Sequence, residues 1–374
     1  MPSKKMKRIL FLIPDLGHGG AEKVLVNLVN NLDQTKYEIT LYSIFDCGVN
    51  REYLDKSIKY RSKFKRKFRG NSHFFKLFSP RLLYRWIVGE EYDIVVSYLE
   101  GVAARVISGC SYPTTKKVAW LHIELNDERK AKTGFRSLAE ARKCYANFNK
   151  IIGVSSSVVE LGQKFLGARV PYDVLYNTNE TDQIRELANK PTEFNIDSEA
   201  INVCSVAKVM KTKGYDRLLE VHKRLLLEGL KHIIYIIGCG EERKKLELRA
   251  EELGVTSSFQ FLGFHKNPYK DVSKCDLYVC SSRREGFSTA VTEALVLGLP
   301  VVSTDCSGAK ELLGESDDFG LVVENSEEGV YQGMKRMLSE PGLLKDYRER
   351  AAARGKRFSK TATVNAVESM LDNL

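Results

Sequence analysis

Glu285 and Glu293 stand eight positions apart in the stretch Ser281-Ser282-Arg283-Arg284-Glu285-Gly286-Phe287-Ser288-Thr289-Ala290-Val291-Thr292-Glu293-Ala294-Leu295. Residues 276–280 before it are apolar and β-inclined and read as a short buried strand. Residues 290–297 are good helix formers, halted by Gly298-Leu299-Pro300 and followed by a second apolar strand at 301–303. A strand–loop–helix–strand unit puts this loop at the carboxyl end of a strand, where open parallel sheets take their ligands. Ser288 or Thr289 caps the helix, and the first-turn amides of Thr289, Ala290 and Val291 suit a phosphate. Glu285 in the loop and Glu293 one turn inside the helix then face one ligand, as acceptors for its hydroxyl groups. Two solvated carboxylates on an ordinary surface helix are the alternative.

Other residues with chemical potential fall at the same kind of position. Residues 7–14 read as an opening strand, and Asp15-Leu16-Gly17-His18-Gly19-Gly20-Ala21-Glu22 leads into a helix with Val24, Leu25, Leu28, Val29 and Leu32 on its apolar face. Gly19 and Gly20 let that turn bring its backbone close to a ligand, or simply make a tight turn. Residues 118–122 read as a strand ending on His122, which enters a loop and there is either an active-site group or a structural histidine. Lys208 and Lys213-Gly214 lie between a strand at 201–206 and a helix at 215–228, and a surface lysine pair is the other way to read them. Neither Gly19-Gly20 nor Gly238-Cys239-Gly240 carries the full GxGxxG pattern, which argues against nicotinamide chemistry.

The spacing Glu-Gly-Phe-x5-Glu at 285–293 resembles the signature of retaining sugar-nucleotide glycosyltransferases of family 4, which have the two-domain GT-B fold. The resemblance runs over nearly the whole chain and is strongest from about residue 200 to 325. It implies that Glu285 and the backbone of Gly286, Phe287 and Ser288 hold the donor sugar, Glu293 the ribose, and the helix start the diphosphate. Gly19 and Gly20 match the family's first loop and would face the diphosphate across the cleft. His122 resembles the family's histidine beside the reacting sugar. Lys213-Gly214 matches the end of the family's Gly-Arg-x4-Lys-Gly element, with Lys208 in place of the arginine. Lysine keeps the charge but not the planar bidentate grip. Gly238 would lie near the nucleoside and phosphates, and Phe264 beside the base. Catalysis would fall to His122, Glu285 and Lys213.

The elements that must position these residues alternate strand and helix in both halves, which favours an α/β chain of two Rossmann-like parallel-sheet domains facing across a cleft. At 374 residues two domains are expected: 1–190 binding the acceptor, 191–358 binding the donor. Residues 359–374 form a last amphipathic helix, which in GT-B proteins often crosses back to the first domain. A hydrophobic fraction of 43% with 28% charged residues describes a soluble globular protein, and no uncharged stretch approaches a membrane span. The apolar run behind the basic N-terminus is too short for a signal peptide. Eight scattered cysteines without a CxxC pair indicate neither a disulfide framework nor a zinc site. No Asp-x-Asp pair occurs, so a metal-chelated donor is not expected and no metal ligands are assigned.

Charge is concentrated in one place. Residues 56–89 hold eleven Lys or Arg and no acidic residue, more than the whole net charge of +10. Phe74, Phe75, Leu77, Phe78 and Trp86 interleave with or follow the cations. Such a segment suits an anionic membrane surface, with the aromatic residues settling at the interface. A solvated basic loop is the alternative, and no nucleic-acid motif accompanies the charge. The expected protein is thus a retaining, metal-independent hexosyltransferase with no cofactor. It would move a sugar from a nucleotide diphosphate, UDP-linked by preference, to a hydroxyl of a lipid-linked or other glycan acceptor in envelope or capsule polysaccharide synthesis. Its place would be cytoplasmic, peripheral on the inner face of the cell membrane. A sugar-nucleotide 2-epimerase of the same fold and an inactive membrane-surface binding protein are the rivals.

Overall fold

Alternation of short β-branched runs with amphipathic helices builds two parallel sheets in the computed structural model, which describes residues 6–17, 19–167, 169–192 and 196–374. Met1–Lys5 of the basic N-terminus, His18 of the glycine-rich turn and Glu193–Asn195 of the polar linker lie outside the described residues. The chain divides into one unit of Met1–Asn179 with Thr361–Leu374, and a second of Glu180–Lys360. The division therefore falls before residue 190, because the helix Thr181–Ala188 buries Ile184 and Ala188 against Tyr269 and Val296 of the second unit.

The first unit holds seven strands: β1 (Lys7–Ile13), β2 (Tyr37–Phe45), β3 (Lys59–Phe64), β4 (Ile94–Ser97), β5 (Lys116–Leu121), β6 (Lys150–Gly153) and β7 (Tyr172–Val174). They lie in the order β3-β2-β1-β4-β5-β6-β7, all parallel. Ile9 to Ile13 of β1 are fully buried, as expected of a central strand covered on both faces. The helix Gly20–Asn31 covers one face with Val24, Leu25, Leu28 and Val29.

The basic segment is not a loop. It supplies the edge strand β3, whose residues are exposed or half-buried, and two helices, Asn71–Leu77 and Pro80–Ile87. Lysine-rich edge strands of this kind resist pairing with another sheet. The helix Lys360–Asp372 belongs, from Thr361 on, to the first unit. Lys7 Nζ donates to Leu371 O (2.9 Å), Lys36 Nζ to Glu368 Oε2 (2.9 Å) and Tyr37 OH to Asp372 Oδ1 (2.8 Å).

The second unit has six strands: β8 (Ile201–Val206), β9 (His232–Ile237), β10 (Phe259–Gly263), β11 (Leu277–Cys280), β12 (Val301–Thr304) and β13 (Leu321–Val323). Their order is β10-β9-β8-β11-β12-β13, again all parallel. Leu218, Leu219, Val221 and Leu225 of the helix Tyr215–Leu227 pack with Val330 and Met334 of the helix Glu327–Ser339 into one core with Val203, Ile234 and Val279. In each sheet the strand order reverses once, between β1 and β4 and between β8 and β11. The carboxyl ends beside those reversals are where a ligand crevice opens in such sheets.

Candidate donor site

The loop that leaves β11 is built on the loop that leaves β8. Arg283 N donates to Thr212 O (2.7 Å) and Ser281 Oγ to Lys213 O (2.9 Å). Gly214 makes this approach possible. It has φ +68°, and a Cβ there would stand 2.1 Å from Ser281 O, so any side chain at 214 would push the two loops apart. Arg283 reinforces the join with a two-pronged ion pair to Asp216, at 2.6 and 2.8 Å.

Within this frame Lys213 and Glu285 meet. Lys213 Nζ donates to Glu285 Oε1 at 2.7 Å, and Ser282 Oγ donates to the same oxygen at 2.6 Å. Oε2 of Glu285 keeps no hydrogen-bond partner among the described residues. One carboxylate oxygen is thus saturated from behind while the other stays available to a hydroxyl. The Lys213 ammonium has three donors and spends one here, so it can also serve an anion. Glu293, one turn into the helix Thr289–Val296, accepts from Tyr269 OH at 2.9 Å. Ser288 is the N-cap, accepting from Val291 N at 3.4 Å. That bond takes up one of the amides expected for phosphate, which shifts the expectation toward Thr289 and Ala290.

The backbone beneath Glu285 is held by residues with no motif to announce them. Ser282 O accepts from Arg217 Nη2 (2.9 Å), Thr304 Oγ1 (2.6 Å) and Cys306 Sγ (3.0 Å), three donors from three elements. Arg217 is buried, and its other bonds run to Ser281 O and to Asn325 Oδ1 (2.8 Å). Burial lowers its pKa from the ordinary arginine range. Asn325 Nδ2 in turn donates to Arg283 O at 3.1 Å. In sequence Arg217 is one more cation on a charged helix, so nothing marks it. Phe287 is buried against Phe358, with ring centroids 6.0 Å apart, which anchors the loop on its far side.

The loops after β8, β9 and β10 are knitted alongside. Gly238 N donates to Gly263 O (2.8 Å), and a Cβ at Gly238 would stand 1.9 Å from Ala207 O. This brings Gly238 together with the strand end that carries Phe264, whose ring is exposed. Lys208 is exposed and among the described residues reaches only Glu241, at 3.9 Å, so it is not held as Lys213 is.

In the first unit, Gly19 and Gly20 open the helix after β1. Glu22 folds back onto the turn, and a Cβ on Gly19 would stand 2.0 Å from its Oε2. Burial raises the Glu22 pKa, with nearby Asp15 adding to the rise. Asp15 itself pairs with Lys67 at 2.6 Å. His122 follows β5 directly and is buried against Tyr98, ring centroids 4.7 Å apart. Burial holds its pKa down at about 3, so it is a neutral imidazole, and Nε2 lacks a hydrogen-bond partner among the described residues. Glu100, in the loop that follows β4, accepts from the backbone N–H of His122 and of Ile123 and so sets the His122 turn. Its pKa is raised by burial. In sequence Glu100 carries no motif, and only its place in Leu99-Glu100-Gly101, beyond a strand's carboxyl end, marks it.

Comparison with known proteins now decides the family. Residues 18–183 match the model described as Glycosyltransferase Family 4, and residues 188–356 that described as Glycosyl transferases group 1. The chain is a family 4 glycosyltransferase of the GT-B fold. A curated relative from Campylobacter jejuni is 29% identical over 95% of this chain and 96% of its own length. That protein is the N-acetylgalactosamine-N,N'-diacetylbacillosaminyl-diphospho-undecaprenol 4-alpha-N-acetylgalactosaminyltransferase. An uncharacterized glycosyltransferase of Haemophilus influenzae is 25% identical over 90% of this chain and 92% of its own. Among solved structures, Anabaena HepE in complex with UDP-glucose superposes with a TM-score of 0.76 at 19% identity, covering 98% of this chain and 100% of that one. Among the described residues of this glycosyltransferase, no helix is long and apolar enough to cross a membrane.

Proposed function

We propose that this glycosyltransferase is a retaining, metal-independent enzyme that transfers a hexose from a UDP-sugar to a hydroxyl of a lipid-linked glycan in envelope or capsule polysaccharide synthesis. The observation that carries the reading is the convergence of Lys213 and Ser282 on one oxygen of Glu285, one turn from the Ser288-capped helix that bears Glu293. The free oxygen of Glu285, with the backbone of Gly286 to Ser288, takes the hydroxyls of the donor sugar. Glu293, steadied by Tyr269, takes the ribose, and the base runs past Gly238 and Phe264. Lys213, Lys208 and the amides of Thr289 and Ala290 neutralise the diphosphate as the bond from the sugar's anomeric carbon to the β-phosphate oxygen breaks. The acceptor oxygen forms its bond on the same face, and its proton passes to the departing phosphate. The family pattern adds the Gly19–Gly20 turn for the diphosphate. It also gives His122 as a neutral hydrogen-bonding group for the reacting sugar, in keeping with its low pKa.

A UDP donor is supported by the UDP-glucose bound in the Anabaena neighbour. A lipid-linked acceptor, carried on a diphosphate at the cytoplasmic face of an anionic membrane, is supported by the diphospho-undecaprenol acceptor in the Campylobacter relative's name and by the cation-rich 56–89 segment. Calorimetric titration with UDP and with GDP, in the presence of EDTA, tests the donor assignment. Tight UDP binding that Glu293→Ala loses is the expected result. A well-folded protein that binds neither nucleotide would overturn the reading. Retention is read separately, from the anomeric configuration of the transferred sugar by NMR.

A further inference from the structure

The aromatic side chains of the cation-rich segment do not lie where its sequence suggests. Phe64, Phe74, Phe78 and Trp86 pack on one another, with centroids 5.5 Å apart for Phe64–Trp86, 5.2 Å for Phe74–Phe78 and 5.8 Å for Phe78–Trp86. Phe45 of β2 and the fully buried Phe75 extend the cluster inward, 6.1 Å apart. These rings form a small core that fastens the two helices to the edge of the sheet. What remains outside is two leucines, the edge of the Trp86 indole and, away from the two helices, part of the Phe68 ring. Leu77 is 72% exposed, Leu82 48% and Trp86 38%. Leu82 and Trp86 are one helical turn apart on Pro80–Ile87, whose opposite face buries Leu83, Tyr84 and Ile87. Leu77 ends the preceding helix, next to Phe78, which touches Trp86. Arg81 and Arg85 stand exposed beside this ridge, and Lys63 Nζ lies 5.2 Å over the Trp86 ring.

We propose that Leu77, Leu82 and Trp86 form an apolar ridge that inserts into an anionic lipid surface, with Arg81, Arg85 and Lys63 engaging the headgroups. An exposed apolar ridge rimmed by cations, on a segment without a single carboxylate, matches the layering of such a surface: negative charge outside, hydrocarbon beneath. The aromatic cluster is the rigid base that holds the ridge. This rests on the reading of a lipid-linked acceptor, and it names the contact through which the enzyme reaches it.

The chain supplies its own probe, since it has two tryptophans and the other, Trp120, is buried. The full chain is mixed with vesicles of phosphatidylcholine with or without phosphatidylglycerol, and followed by tryptophan emission and by co-sedimentation. The expected result is a blue shift and sedimentation with the anionic vesicles only, the shift quenched by lipids labelled at shallow acyl positions. Leu77→Ser with Leu82→Ser, both exposed and so neutral to folding, should weaken vesicle binding by about tenfold or more. Arg81→Glu with Arg85→Glu should abolish it at low salt. Binding that is unchanged in the leucine variant and shows no emission shift would overturn insertion. So would a leucine variant that merely turns a dimer into a monomer, or wild-type protein that prefers RNA to vesicles. UDP titration on the same variants separates the two readings. The variants should keep UDP binding while losing the vesicles; wild-type protein that binds UDP but not vesicles sinks only the docking surface, whereas wild-type protein that does not bind UDP sinks the donor site.

Discussion

Ser282 shows how the candidate donor site is set by residues that need not touch a ligand. Its carbonyl is pinned by Arg217, Thr304 and Cys306, and its hydroxyl aims Glu285. A hydrogen bond from a neutral group to a carboxylate contributes about 1.5–3 kcal/mol. Glu285 keeps Lys213 when the hydroxyl is removed, so the loss in Ser282→Ala lies at the low end. We expect a rise of about tenfold in the KM for the nucleotide sugar. Affinity for UDP alone should stay as in the wild type, because Glu285 is assigned to the sugar and not to the nucleotide. Steady-state kinetics beside UDP titration checks this. Equal losses in both would mean that Ser282 supports the whole loop and does not aim one side chain.

At the scale of elements, the site depends on how closely the loops after β8 and β11 approach, and Gly214 is the residue that permits it. Gly214→Ala adds a Cβ 2.1 Å from Ser281 O, and to relieve it the Glu285 loop must move. Gly167 offers a matched control: it also has a positive φ, +60°, at the end of the helix Ser156–Leu166, but among the described residues nothing beyond its chain neighbours lies within 4 Å of its added Cβ. Gly167→Ala should cost only the left-handed backbone penalty, about 1 kcal/mol, and leave UDP binding unchanged. Gly214→Ala should cost more stability and also lower UDP affinity. Thermal melts with and without UDP measure both. A Gly214→Ala protein with wild-type UDP affinity would show that the two loops can separate without harm to the site.

Over the whole molecule, acid stability is set by buried histidines. His222 Nδ1 and His232 Nε2 are 2.8 Å apart, and His222 Nε2 lies 2.8 Å from Ser258 Oγ, all inside the second unit. Burial brings the pKa of His222 down to about 3, with His232 and Lys223 adding to the drop, and burial also lowers His232. His122 in the first unit stands at about 3 for the same reason. A histidine depressed in the fold takes up protons more readily when unfolded. Its neutral form therefore costs nothing above the unfolded pKa of about 6.5, and stability falls as pH drops from there toward about 3. The limiting slope is about 1.4 kcal/mol per pH unit for each such histidine. Paired carboxylates such as Glu140 and Asp216, lowered by Arg105 and Arg283 against the cost of burial, add their losses only below about pH 4.5. The melting temperature should therefore already decline between pH 6.5 and 5. A flat profile over that window would show the histidines to be solvated.

The residues with period and spacing were legible before any fold was seen. The strand runs, the amphipathic helices, the Glu285–Glu293 pair, Lys213-Gly214 and the placing of His122 at a strand end all follow from local chemistry. Hydrophobic alternation and capping act over a few residues. They are also enough to specify two parallel sheets, since strands joined through helices have few other ways to pack. Tertiary structure decided what depends on residues far apart in the chain. Arg217, Thr304, Cys306 and Asn325 meet at the Ser282 loop from positions up to 108 apart, because four loops leave the same end of one sheet. The cation-rich segment carried two strong signals, charge and aromaticity, and only packing could separate them. The rings gain most by burying one another, which turns Phe64, Phe74 and Phe78 inward and leaves Leu77, Leu82 and the Trp86 edge outside. Burial of that kind is a property of the neighbours each ring finds, and a linear sequence does not record them.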